Sequence, residues 1–188
     1  MGDQDQNKID ELDPGKIIEE MREEYWRGVT EAEEGREEER VQALVGEVAG
    51  EKFAIDAALC RIITKFGHVT RVPRTPDFML GVINLRGQII PVVDLSLLFR
   101  LPAAKNKAAK PRLVVVEVEE SRTAFLVDRI VGIEFFEVGR IRESESASSP
   151  VKAEYIKGHI APVKDEGWIV YLDIVKLILG PELSFGKV

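Results

Sequence analysis

One cysteine and two distant histidines in 188 residues leave the chain no internal disulfide and no ordinary zinc site. Long hydrophobic runs are also missing. The longest stretch without a charged side chain is the eight residues from Phe78 to Leu85, against the roughly 20 that a membrane-spanning helix needs. The first residues, Met1-Gly-Asp-Gln-Asp-Gln6, offer no basic segment followed by an apolar one, so nothing signals export. Neither a Gly-x-Ser-x-Gly elbow, a phosphate-binding loop of the Walker kind nor a His-Glu-x-x-His helix is present. These absences point to a cytoplasmic, non-enzymatic protein that needs no metal and no cofactor.

Among what is present, charge is the most informative. The net charge of −7 is unevenly spread: residues 1–40 hold 15 acidic and 6 basic side chains, and the rest holds 18 and 20. A near-neutral body with 7% aromatic residues argues against a nucleic-acid partner, which calls for a basic excess and stacking platforms. The 45% hydrophobic content is enough for a packed core.

Two periodicities divide the chain. From Asp13 onward Ile17, Ile18, Met21, Tyr25, Trp26, Val29 and Ala32 recur three or four apart, the stripe of an amphipathic helix. Asp13 suits the N-cap and Pro14 the first helical position. Residues 1–40 are therefore expected to be an acidic helical extension, its face of Ile18, Met21, Tyr25, Trp26 and Val29 packing on the body or on a second copy.

Beyond Val41, short Val, Ile, Leu and Phe runs punctuated by Gly and Pro read as an all-β barrel or sandwich. Strands are expected at 42–48, 52–56, 60–65, 69–73, 81–85, 88–93, 112–119, 122–128, 131–138, 155–162 and 167–172. That exceeds one small barrel. An internal echo favours two: Gly81, Ile83, Ile90, Asp94 and Leu98 are matched in order by Gly158, Ile160, Ile169, Asp173 and Leu177. Each copy reads as strand, turn, strand and short helix. Asp94 and Asp173 fall where the helices begin and are expected to be caps rather than catalytic carboxylates. His68 and His159 lie on or beside strands without metal-spaced partners, and Cys60, between Leu59 and Ile62-Ile63, reads as a small packed hydrophobe.

The segment Gly81-Val-Ile-Asn84-Leu-Arg86-Gly87-Gln-Ile-Ile-Pro91-Val-Val-Asp94-Leu closely resembles the signature of the CheW-like chemotaxis coupling proteins. Lys52 to Asp56, Val69 to Pro73, Phe125 to Asp128, Glu154 to Gly158 and Ile169 to Leu179 fit the same order, so the likeness covers roughly residues 42–180. It implies two packed five-stranded barrels of the Src-homology-3-like kind over residues 41–182. It further implies an adaptor that binds the cytoplasmic tip of methyl-accepting chemoreceptors and the regulatory domain of a CheA-type histidine kinase, recruited to membrane-bound arrays without entering the membrane. A coupler of a pathway serving pili motility or development is a second reading, and a small-barrel nucleic-acid or ligand binder a third.

Arg86 and Gly87 are expected in a tight hairpin turn, with Gly87 at positive φ and the Arg86 side chain in solvent. A guanidinium there suits a carboxylate or helix-end carbonyl of a partner; the alternative is an ion pair within the chain. Arg86, Asn84, Gly87 and Val82, with an apolar groove of Cys60, Ile62, Ile63 and Val82, form the candidate receptor- or kinase-binding set. Two departures from the family pattern stand out. Ile62 occupies a position where many relatives carry Glu, leaving Asp56 or Asp77 as acids for Arg86, and Gly46 stands where a bulky aromatic is common.

Overall fold

The computed structural model describes residues 39–102, 110–142, 151–161 and 167–183. The expected N-terminal helix and its apolar face lie outside the described residues. Eleven strands are present: β1 (Arg40–Val48), β2 (Glu51–Asp56), β3 (Cys60–Lys65), β4 (Met79–Leu85), β5 (Gln88–Asp94), β6 (Arg112–Val118), β7 (Ser121–Val127), β8 (Arg129–Glu137), β9 (Ile141–Arg142), β10 (Ile156–Ile160) and β11 (Ile169–Leu172). Two short helices, α1 (Leu95–Leu98) and α2 (Ile174–Leu179), follow β5 and β11.

One expected strand, 69–73, is absent. Only Thr70 bridges, to Val82; the following Val72-Pro73-Arg74-Thr75-Pro76 has two residues without N–H donors and Arg74 at φ +64°. The two-residue β9 was not expected, since two residues carry no period. Both helices start on the expected caps. The Asp94 carboxylate accepts from Ser96 N–H at 2.8 Å and Leu97 N–H at 3.3 Å, and that of Asp173 from Lys176 N–H at 3.0 Å.

The strands form two sheets that curl into two small barrels. Barrel 1 is ordered β3-β6-β7-β5-β4 and barrel 2 β8-β1-β2-β11-β10-β9. Barrel 2 therefore has six strands where five were expected, the sixth being β9. In barrel 1 the Thr70 bridge holds the corresponding place, because Thr70 pairs with Val82 one residue past Gly81, as Arg142 pairs with His159 one residue past Gly158.

The duplication runs deeper than the echo in the sequence. Val45 pairs with Ala54 and Glu47 with Lys52; seventy residues on, Val115 pairs with Ala124 and Glu117 with Arg122. Likewise Leu44 faces Ile133 across β1 and β8, as Val114 faces Ile63 across β6 and β3. Each copy thus contributes a hairpin to the other's barrel: β1–β2 lies beside β11 in barrel 2, and β6–β7 beside β5 in barrel 1, each joined by a parallel pair. The result is two barrels interlocked by exchanged hairpins.

Three apolar clusters follow from this. Barrel 1 is filled by Ile90, Val92, Leu113, Val115 and Ala124, and barrel 2 by Ala43, Val45, Ala54, Phe136, Ile160, Ile169 and Tyr171. The largest cluster lies between them, with Leu44, Phe53 and Ile55 from one sheet, Val93, Val114, Val116 and Phe125 from the other, and Leu95, Ile174 and Leu177 from the helices. β6 is buried on both faces for this reason: Leu113 and Val115 point into the barrel, Val114 and Val116 into the interface. Each such side chain contributes about 1.5–3 kcal/mol on burial. A narrow apolar crevice lies beside Gly46, lined by Phe53, Leu95, Val114 and Ile130, and a Cβ on Gly46 would lie 3.2 Å from the Arg129 carbonyl oxygen.

Candidate protein-docking site

The β4–β5 hairpin closes on two residues in left-handed backbone, Arg86 at φ +55° and Gly87 at φ +85°. That pairing matches the twist of the flanking strands. The Asn84 side-chain carbonyl accepts from the Gly87 N–H at 2.9 Å and pins the turn. Arg86 is exposed, and among the described residues no group is in hydrogen-bond or ion-pair reach of its guanidinium. Asp56 is engaged elsewhere: it accepts from Ala58 N–H at 3.0 Å and lies 3.9 Å from the Lys157 ammonium.

The base of the turn is braced across the sheet. Arg122 on β7 donates to the Gln88 side chain and, at 2.6 Å, to Glu117 on β6, whose carboxylate is also 3.7 Å from Arg61 on β3. The turn is therefore stiff at its root and free at its tip, the arrangement an arginine anchor needs. Next to it Ile89, 64% exposed, extends the surface with an apolar side chain. In the sequence Ile89 reads only as part of the strand expected at 88–93; its alternation with buried Ile90 is the available signal.

The structure sorts the candidate residues into separate groups. Val82, Asn84, Arg86 and Gly87 share the β4–β5 hairpin, with half-buried Val82 between Thr70 and Pro91. Cys60 and Ile63 share the outer face of β3: Cys60 packs on the cluster between the barrels, and Ile63, opposite Val114, is 45% exposed. Ile62 departs from the expected groove, because it packs against the interior of barrel 1. The cause is a bulge at Arg61, between Cys60 opposite Val116 and Ile62 opposite Val115, which turns the strand by one residue. Since β3 and β4 end opposite sides of the sheet order, no strand pairing brings Val82 to Cys60 and Ile63.

Burial, and secondarily the charge of Asp56, push the Cys60 thiol up to about 11, which leaves it protonated and unreactive at neutral pH. Among the described residues no three His, Cys, Asp or Glu side chains are grouped to hold a metal, and no helix is long and apolar enough to cross a membrane. The chemistry on offer is docking: an exposed cation on a rigid turn, and apolar side chains at the margin of the inter-barrel cluster.

Known proteins show the same organisation. Residues 42–181 match the CheW-like domain. The chain is 33% identical over 138 residues to the chemotaxis protein CheW of Thermotoga maritima, covering 73% of this chain and 87% of that protein. It is 28% identical over 150 residues to CheW of Treponema pallidum, covering 78% and 87%. The fold resembles the scaffolding protein TtCheW from Thermoanaerobacter tengcongensis with a TM-score of 0.67 at 24% identity, over 76% of this chain and 90% of that one. With the family's domain matched across most of its length and its fold reproduced, the chain belongs to the CheW-like domain family, the non-enzymatic scaffold proteins of chemotaxis.

Proposed function

We propose that this chain couples methyl-accepting chemoreceptors to a CheA-type histidine kinase, binding the receptor's cytoplasmic tip and the kinase's regulatory domain and so residing in membrane-bound receptor arrays. The observation that carries the reading is the Arg86–Gly87 turn, with its exposed guanidinium on a braced hairpin. Arg86, Asn84 and Gly87 form the polar contact, Val82 supports the hairpin, and Cys60 and Ile63 supply the apolar margin. Ile62 acts from inside the barrel by holding β3 in place. Residues 41–182 are the coupling domain and residues 1–40 an accessory extension outside the family match.

Calorimetric titration against the kinase regulatory domain and a receptor cytoplasmic fragment from the same genome tests the reading. Binding to each is expected, and absence of binding to both contradicts it. Similarity to FrzA of Myxococcus xanthus, 27% identical over 116 residues, favours a second reading as the coupler of a pathway other than flagellar chemotaxis. A preference for the receptor and kinase of such a pathway over the flagellar pair would select it.

A further inference from the structure

Basic residues gather at one end of barrel 1. Residues 65–76 and 99–112 hold eight Lys and Arg and no Asp or Glu, whereas the chain beyond residue 40 holds 20 basic and 18 acidic side chains. The two runs meet in the fold. Lys65, the last residue of β3, lies opposite Arg112, the first of β6, and the Phe66 N–H donates to the Pro111 carbonyl at 3.3 Å. Leu113 faces the interior of barrel 1 and Thr64 lies opposite it, so Lys65 and Arg112 fall on the outer face with Ile63. Lys65 is exposed and Arg112 half-buried, and among the described residues neither has an acid in ion-pair reach.

Like charges directly opposite on neighbouring strands destabilise a sheet. The barrel does not need them: seventy residues on from Lys65 stands Phe135, opposite Gln42, and that pair in barrel 2 carries no charge. A repulsion kept in one copy and dispensed with in the other is relieved by an anion supplied on docking. The neighbours say what kind of anion. Ile63, two residues back on the same face, is 45% exposed, and Phe66 is 39% exposed. Two residues of strand span about 6.6 Å. Side chains three or four residues apart on a helix are about 5–6 Å apart. A helix that sets an apolar residue on Ile63 therefore brings a carboxylate one turn away onto Lys65 and Arg112.

We propose that Lys65 and Arg112 are a carboxylate-reading pair that selects receptor segments carrying Asp or Glu one helical turn from the residue seated on Ile63. The inference rests on the coupling role proposed above, and it takes the receptor as the partner because the pair asks for the same ligand as Arg86, a carboxylate. Calorimetric titration of the full chain and of Lys65→Glu and Arg112→Gln with a receptor cytoplasmic fragment, alongside their thermal midpoints, tests it. Lys65→Glu should weaken binding at least about 10-fold while raising the midpoint by about 1–3 °C, since Glu opposite Arg112 turns repulsion into attraction. Arg112→Gln, which copies Gln42, should weaken binding about 3-fold or more without lowering the midpoint. Receptor binding untouched by both substitutions, a loss confined to the kinase regulatory domain, or a loss that vanishes once the acidic residues 1–38 are removed would each overturn the proposal and leave the coupling role standing. No wild-type binding to receptor or kinase would overturn both.

Discussion

Barrel 1 and barrel 2 share a register, and the comparison separates what the barrel needs from what it can vary. Both copies keep a bulge at a glycine that a third segment crosses, at Gly81 and Gly158. Both also keep an aspartate cap and a parallel pair to an exchanged hairpin. Three features differ: the link between the paired strands, which is the two-residue Arg86-Gly87 turn in barrel 1 and spans eight residues of sequence between Ile160 and Ile169 in barrel 2; the open strand, cationic in β3 and apolar in β8; and the residue after the bulge glycine, Val82 or His159. What both copies hold is architecture, and what only one holds is available for recognition.

The bulge glycines should give the largest effect. A Cβ on Gly81 would lie 2.2 Å from the Thr70 carbonyl oxygen, at φ +139°; one on Gly158 would lie 2.6 Å from the Ile141 methyl and 3.0 Å from the Arg142 carbonyl, without a left-handed φ. Gly81→Ala is therefore expected to cost more than about 3 kcal/mol and Gly158→Ala about 1–2 kcal/mol in urea unfolding. Equal losses would show that the two crossings do not differ as described. Cys60, which stands where barrel 2 has Ile130, comes next. With its thiol pushed up to about 11 from 9.0, alkylation of the native chain at pH 8 should run about 100-fold slower than that of the unfolded chain. A rate near the unfolded value would place Cys60 outside the packed margin.

The caps should matter less. Asp94→Ala removes two backbone hydrogen bonds and one from the Ser96 hydroxyl, Asp173→Ala one backbone bond and an exposed Lys176 pair. About 1 kcal/mol is expected for each, with Asp94 the larger. The smallest effect concerns His159, whose Nδ1 is buried and has no hydrogen-bond partner among the described residues. Desolvation lowers its pKa below the ordinary 6.5, so the fold favours neutral imidazole. This contribution is fully present above pH 6.5 and is lost as the pH falls below it. Unfolding free energy should decline between pH 7.5 and 5.5, above the range where Glu47 and Glu182 titrate, both being held low by basic partners. His159→Val, which copies barrel 1, should flatten that slope, and a slope unchanged in the variant would remove His159 from the explanation.

The sequence was legible where a feature is local. Ten strands, both caps and the Arg86-Gly87 turn follow from period, punctuation and single residue types. The exchange of hairpins was not legible, because it rests on the pairing of β2 with β11 and β7 with β5, partners more than thirty residues apart or joined through another barrel. Its trace, Val45, Glu47, Val48 and Ala54 repeated at Val115, Glu117, Val118 and Ala124, is thin among so many apolar residues. The candidate groove was partly misread for a related reason. Simple alternation places Cys60 and Ile62 on one face, whereas the bulge at Arg61 puts Cys60 with Ile63 and turns Ile62 inward.

In the proposed coupling role, the tip of the β4–β5 turn serves a partner and not the fold. Calorimetric titration of the wild type and of Arg86→Glu with a receptor cytoplasmic fragment, alongside their thermal midpoints, tests it most directly. Binding weakened by at least about 10-fold with the midpoint unchanged is expected, since an exposed arginine anchor is lost and, among the described residues, no intramolecular contact with it. Undiminished binding, or a large fall in the midpoint, would contradict it.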